Sequence, residues 1–256
     1  MALRLDYSAD RRPKGVDQDL FERFLIPPEY RDFIRRSWDR DEHTIYGRFD
    51  LAFDGNLEPK LLEYNADTPT ALLEAAVVQW FWLQDCFPAE QQFNSIHERL
   101  LEVFKLLRAE TSERFYAFGP HFVRAECRWF EPPWKALLSN KAILPILWEM
   151  YPHNPYLLET SPAPLARGDY VKKPILGREG ANIQIFEHGK LSFETEGPYE
   201  GPAVYQELWP LPRFEQKYFA LIGSWIVNGW ACGIGVREDE SLITGNLSRF
   251  VPHVYR

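Results

Sequence analysis

Gly47-Arg48-Phe49-Asp50-Leu51 and Leu61-Leu62-Glu63-Tyr64-Asn65 alternate polar and apolar residues on either side of Asp54-Gly55-Asn56, a turn signal. Paired as a hairpin with one register sum, they place Asp50 opposite Glu63 and Arg48 opposite Asn65. Phe49, Leu51, Leu62 and Tyr64 then take the other face. Two carboxylates opposed across strands repel each other, so a fold that keeps them calls for a cation between them. The plain alternative is an ordinary hairpin with one solvated face. Against it, this face lacks lysine. It offers two carboxylates and an amide, which are ligand types that magnesium accepts beside water and phosphate oxygens. The adjacent guanidinium suits the charge of a transferring phosphoryl group.

The 256-residue chain is long enough for one large domain or two small ones, and 45% apolar and 15% aromatic residues argue for a packed globular protein. A formal charge of −8 disfavours nonspecific binding to nucleic acid or to anionic lipid. Cys86, Cys127 and Cys232 are odd in number and far apart, fitting neither a disulfide framework nor a zinc spacing, and read as reduced, buried thiols. No apolar run reaches membrane-spanning length and Met1 to Lys14 lacks the apolar core of a secretion signal, so the expected address is cytoplasmic, with no membrane partner.

Helical patterns are expected over 17–25, 27–38, 71–85, 93–110 and 134–150. The third is read as capped by Thr68 with Pro69 in its first turn, which aims its positive end near Asn65. Residues 111–128 show weak periodicity. From Tyr170 onward the pattern changes to strands at 170–173, 182–187, 190–195, 203–207, 217–227, 231–237 and 242–244. The fold class is therefore α+β, with a helix-rich first half and a largely antiparallel second half.

A second constellation lies in Tyr170-Val171-Lys172-Lys173-Pro174-Ile175-Leu176-Gly177-Arg178-Glu179-Gly180-Ala181-Asn182. Strand, glycine loop and strand describe a flap whose N–H groups can cover phosphates, although the same glycines would also serve simple tight turns. Of the two lysines, Lys172 reads as the solvent-facing neighbour. Gln206-Glu207-Leu208-Trp209 ends a strand before Pro210 and could present backbone groups to a flat heterocycle, or could be an edge strand stopped by proline. Arg237 ends an apolar strand, where it could meet phosphate or pair with Glu238 or Asp239.

Arg48-Phe49-Asp50, Leu62 to Thr70 (LEYNADTPT), Ser139 to Pro145 (SNKAILP), Lys173-Pro174-Ile175 and Ser248 to His253 (SRFVPH) together resemble the synthetase domain of the glutathionylspermidine synthase family, in particular its stand-alone bacterial members. The likeness runs in order through about residues 20–108 and 128–256. It implies an ATP-grasp fold, with a pre-ATP-grasp-like region at 1–127 carrying the metal hairpin and a nucleotide-binding region at 128–256. The implied reaction is carboxylate–amine ligation, in which ATP turns a carboxylate into an acyl phosphate that an amine attacks.

Asp50, Glu63 and Asn65 match the family's magnesium ligands, for one ion or two. Arg48 matches its transition-state arginine, contacting nucleotide with Asp50, and Arg237 a reactive-centre arginine. Lys141 and Lys173 match ATP-binding lysines, Glu179 and Gly180 the phosphate-covering loop, and Gln206, Glu207, Leu208 and Trp209 the adenine-side connector. Leu242, Ile243 and Thr244 align with further nucleotide contacts. The implied partners are a peptide-like acid, glutathione by inheritance, and an amine, a polyamine by inheritance. Family members are longer, with a substantial segment where this chain passes directly from about Arg108 to Arg128, and that segment carries part of the substrate pocket. A nucleotide-binding protein of the same fold without ligase activity is therefore the alternative. Apart from the resemblance, Asp50 and Glu63 could also serve as an acid/base pair in a hydrolase.

Overall fold

The computed structural model describes residues 18–110, 131–245 and 247–256. Among the described residues, five α-helices, α1 (Gln18–Arg23), α2 (Pro28–Asp39), α3 (Gln79–Cys86), α4 (Ile96–Glu110) and α5 (Ile143–Met150), accompany eleven strands. These are β1 (Tyr46–Ala52), β2 (Lys60–Asn65), β3 (Thr160–Ser161), β4 (Tyr170–Pro174), β5 (Gln184–Glu187), β6 (Lys190–Glu194), β7 (Ala203–Glu207), β8 (Arg213–Phe214), β9 (Tyr218–Val227), β10 (Trp230–Asp239) and β11 (Arg249–Val251). The α+β class holds. One sheet has the order β11-β10-β9-β1-β2, with β8 on β9, and the other β3-β7-β4-β5-β6. All the pairings of named strands are antiparallel. The early hairpin is thus completed by strands from the end of the chain.

Three cores fix these layers. Ile45, Ala75, Ile96, Val103, Leu107, Trp225 and Val227 join α4 and the helix before it to the first sheet. Phe21, Phe24 and Ile34 pack on Trp134, Leu137, Ile175 and Val204. Val171, Ile183 and Ile185 form a smaller cluster with Leu208 and Ile243 against it. Each fully buried large side chain contributes roughly 1.5–3 kcal/mol.

Several elements depart from the sequence expectation. The helix expected at 71–85 runs from Leu72 to Cys86 with a π-helical turn at Glu74–Val78, and Ala71 sits at φ 68°. Thr68 does not cap it, because its hydroxyl accepts a hydrogen bond from Arg178 instead. The helix expected over 134–150 is split into a 3₁₀ turn at Pro133–Leu137 and α5. Ser139 and Asn140 cause the break by bonding elsewhere: Ser139 Oγ accepts from Ala66 N and Asp67 N, and Asn140 Oδ1 from Ala142 N, all at 3.0 Å. Residues 242–244 form a loop rather than a strand. Asp239 fastens that loop, accepting from Ser241 N at 2.9 Å and Ser248 Oγ at 2.6 Å. Cys232 is buried as expected, whereas Cys86 is exposed; both are free thiols, and Cys127 lies outside the described residues, as does the 111–128 segment.

Candidate functional site

The hairpin forms in the expected register around the acids: Arg48 pairs with Asn65, Phe49 with Tyr64 and Asp50 with Glu63. Phe49 and Tyr64 stack at 4.1 Å on the far face. The register then shifts, so Leu51 pairs with Leu61 rather than Leu62. Leu62 is the extra residue of a bulge, and it lines the cleft together with Glu63 and Tyr64. The solvated-face alternative fails at its centre, where Asp50 is 1% and Arg48 4% exposed.

These side chains lie in a cleft of about 610 Å³ between the two sheets. Asp50 receives Arg48 Nε at 2.6 Å on Oδ1, with Arg48 NH2 at 3.0 Å and Arg237 NH2 at 2.9 Å on Oδ2. Burial raises the Asp50 pKa, opposed first by Arg48 and then by Arg237. Since every close partner is a donor, the carboxylate is the form this geometry holds. Arg48 is itself locked, giving NH1 to the Thr70 carbonyl at 2.5 Å and lying over the Trp225 ring at 5.7 Å. Arg237 meets Asp50, not Glu238 or Asp239. Its buried Nε has no partner among the described residues, and burial lowers its pKa. An orphaned, buried guanidinium donor on a cleft wall is a place for an anionic oxygen.

Lys141 emerges from the break before α5, donates to the Gly177 carbonyl at 2.5 Å and pairs with Glu63 Oε2 at 3.2 Å. Burial pushes the Glu63 carboxyl up, but Lys141 and Lys173 outweigh it and hold the group at about 2. Lys173 is buried on β4, and Lys172 beside it bonds Gln184 at 3.1 Å. Burial brings Lys173 down to about 8, with Glu63 pulling the other way.

Asn65 Nδ2 stands 3.1 Å from both Asp50 Oδ2 and Glu63 Oε1. One polar atom therefore already bridges both carboxylates, and turning the amide over presents its oxygen there. Among the described residues no three His, Cys, Asp or Glu side chains form a metal cage. The donor set is two carboxylates and an amide, which suits magnesium only when water or phosphate completes the shell. Charge gives the same answer. Around the two acids the local balance is positive, with Arg48 and Arg237 on Asp50 and Lys141 and Lys173 near Glu63, so a metal alone would add to it, whereas a metal with a polyanion would offset it. Arg178, Glu74, Glu179 and Glu207 line the rest of the cleft.

The glycine loop at 177–182 closes one side of the cleft. Arg178 holds it to the hairpin's exit through Asp67 Oδ2 at 3.1 Å and Thr68 Oγ1 at 3.3 Å. Asp67 is buttressed by Ser139 Oγ at 2.7 Å. Burial raises the Asp67 pKa, and the bonds from Ser139 and Thr68 together with Arg178 bring it below its ordinary value. Gly180 (φ 72°) packs so closely on the 242–244 loop that a β-carbon there would sit 2.5 Å from the Thr244 carbonyl. Glu179, Gly180, Leu242, Ile243 and Thr244 all line the cleft, as do Leu208 and Trp209 beside the apolar wall of Val171, Ile183 and Ile185. Gln206 and Glu207 also line it, but the Gln206 side chain turns to Lys173 and Glu207 pairs with Arg167.

Sequence reasoning brought together Asp50, Glu63, Asn65, Arg48, Lys141, Lys173 and Arg237. It missed Gly223, across β9 from Asp50, and the Asp67–Arg178 contact. The one available signal for the latter was an arginine between two loop glycines.

The family described as Glutathionylspermidine synthase preATP-grasp matches this chain in two stretches, residues 9–118 and 111–256. A Haemophilus influenzae protein named "Putative acid--amine ligase" is 34% identical over 334 aligned positions, covering 98% of this chain and 84% of its own. The Escherichia coli bifunctional glutathionylspermidine synthetase/amidase is 39% identical, covering 92% of this chain and 53% of its own. The Crithidia fasciculata trypanothione synthetase is 26% identical, with 96% and 52% covered. The chain thus spans about half the length of the latter two relatives.

Proposed function

This chain belongs to the glutathionylspermidine synthase family, and on that premise we propose that it is an ATP- and magnesium-dependent carboxylate–amine ligase of the ATP-grasp type. The observation that carries the reading is the gathering of Arg48, Arg237, Lys141 and Lys173 around Asp50 and Glu63 in one cleft with an apolar wall. Such a cleft can take a polyphosphate at one end and a flat heterocycle at the other. Residues 128–256 are the nucleotide-binding region in this reading, and 1–127 supply the metal hairpin.

The difficulty in the chemistry is that a carboxylate must approach a polyanion. Magnesium held by Asp50, Glu63 and Asn65 would neutralise charge on the transferred phosphoryl group. Lys141, Lys173 and Arg237 face the same region, and Arg48 holds Asp50 in place. The substrate carboxylate oxygen bonds to the γ-phosphorus as the bond to ADP breaks, giving an acyl phosphate. The amine nitrogen then attacks the acyl carbon, inorganic phosphate leaves and the nitrogen gives up a proton. Residues 177–182 exclude water between the two steps.

The relatives' names suggest glutathione as the acid and spermidine as the amine. Release of ADP from the full chain, screened over peptide acids crossed with polyamines and amino acids, tests this; ADP release only when both an acid and an amine are present is the expected result. A second reading, nucleotide binding without ligation, is favoured by the alignment with the Haemophilus protein, which spans 334 positions against 256 residues in this chain. The relative therefore has residues inside the aligned span that this chain lacks. ATP binding with no ADP release across the whole panel would support that second reading.

A further inference from the structure

Lys173 has three ammonium donors, and two of them are occupied by neutral acceptors rather than a carboxylate. These are Gln206 Oε1 at 2.6 Å and the Leu62 carbonyl at 3.2 Å. Gln206 is 1% exposed and sits on β7 diagonally from Lys173 of β4, on the same face of the second sheet. Its other end is fixed too, because Nε2 donates to the Leu61 carbonyl at 3.2 Å. Leu61 and Leu62 are the residues at the β2 register shift. The bulge therefore has a use: it turns two successive carbonyls of the first sheet toward the lysine and glutamine of the second.

We propose that Gln206 is a positioning residue for Lys173, its carboxamide anchored on the Leu61 carbonyl and holding the ammonium so that the remaining N–H serves an anion in the cleft. The carboxamide is suited to this task. A carboxylate at 206 would neutralise the charge that an incoming phosphate needs, and an apolar side chain would leave a buried ammonium with one acceptor. The use of Lys173 toward phosphate rests on the ligase reading. The link between Gln206 and Lys173 does not.

The test is the titration of Lys173 in the nucleotide-free full chain, followed by heteronuclear NMR of lysine side chains and assigned by the signal missing in Lys173→Arg. Gln206→Leu is expected to lower the titration midpoint by roughly one unit or more, because the charged form loses a hydrogen bond. Gln206→Glu is expected to raise it above the wild-type value. ATP affinity in Gln206→Leu, measured by calorimetry below pH 8, is expected to fall about tenfold. An unchanged Lys173 midpoint in both variants would overturn the proposal. If Gln206→Leu does not fold, Gln206→Glu decides alone by the same criterion. Midpoints that move as expected in a protein that binds no nucleotide would support the role of Gln206 and remove the ligase reading instead.

Discussion

Arg48 crosses Gly223 so closely that a β-carbon at 223 would stand 2.6 Å from Arg48 Cδ. Gly223 lies opposite Asp50 in the β1–β9 ladder. The absence of a side chain there lets Arg48 lie flat over β9 and grip Asp50 with two nitrogens. Gly223→Ala is expected to reduce ATP turnover at least about tenfold while costing about 1–3 kcal/mol of stability, the usual range for overpacking. Chemical denaturation and ADP release in parallel check it. Loss of stability with full turnover would show that the position of Arg48 does not matter.

Magnesium is expected to bind weakly alone and tightly with nucleotide, since the four cations around Asp50 and Glu63 repel it until phosphate arrives. Calorimetric titration of Mg²⁺ with and without a non-hydrolysable ATP analogue reads this directly. Asp50→Asn and Glu63→Gln should each abolish Mg²⁺-dependent ADP release. Unchanged turnover in both would reject these ligands.

Nucleotide binding should weaken as pH rises above about 8, where Lys173 loses its proton in the free protein. Bound phosphate favours the charged form, so binding takes up a proton in this range. The affinity falls by up to tenfold per pH unit until the pKa of the complex is reached. Lys173's contribution to fold stability has the opposite sign. Its folded pKa of about 8 lies below the ordinary 10.5, so the unfolded chain holds more protons between those values and the burial cost is relieved as pH rises through them. Calorimetry in buffers of different ionisation enthalpy measures the proton uptake. Its absence at pH 8–9 removes Lys173 from the site, as would wild-type ATP affinity in Lys173→Ala.

The Asp67–Arg178 contact should govern how well ATP use is coupled to product. Arg178→Ala and Asp67→Asn free the 177–182 loop at one end, which admits water to the reactive acyl species. ADP released per amide formed is expected to rise severalfold, with ATP affinity within about threefold of wild type. A ratio identical to wild type in both variants would show that this contact does not seal the cleft.

The acids were legible because alternation and one turn signal determine which hairpin residues face each other, and Asp50 and Glu63 follow from counting. The bulge one residue further on was not, since an inserted residue leaves the composition of the strand unchanged. Nor was the meeting of Arg237 with Asp50, a contact across 187 residues that only the β10-β9-β1 order creates. At 134–150 and 242–244 hydrophobic pattern misled for one reason. Ser139, Asn140 and Asp239 satisfy backbone groups with their side chains, and such local bonds compete with regular structure without disturbing the apolar spacing around them.

The placement of β1 between β2 and β9 has a consequence for biosynthesis. On a nascent chain emerging from the ribosome, β1 and β2 appear early and bring Arg48 with Asp50, yet one edge of β1 stays unpaired and Asp50 lacks its second guanidinium until residues 218–239 have been made. The long-range closure that supplies β9 and Arg237 must therefore come late and be slow compared with local helix formation. A protein interrupted before that point would carry Asp50 without Arg237, on a strand with one open edge.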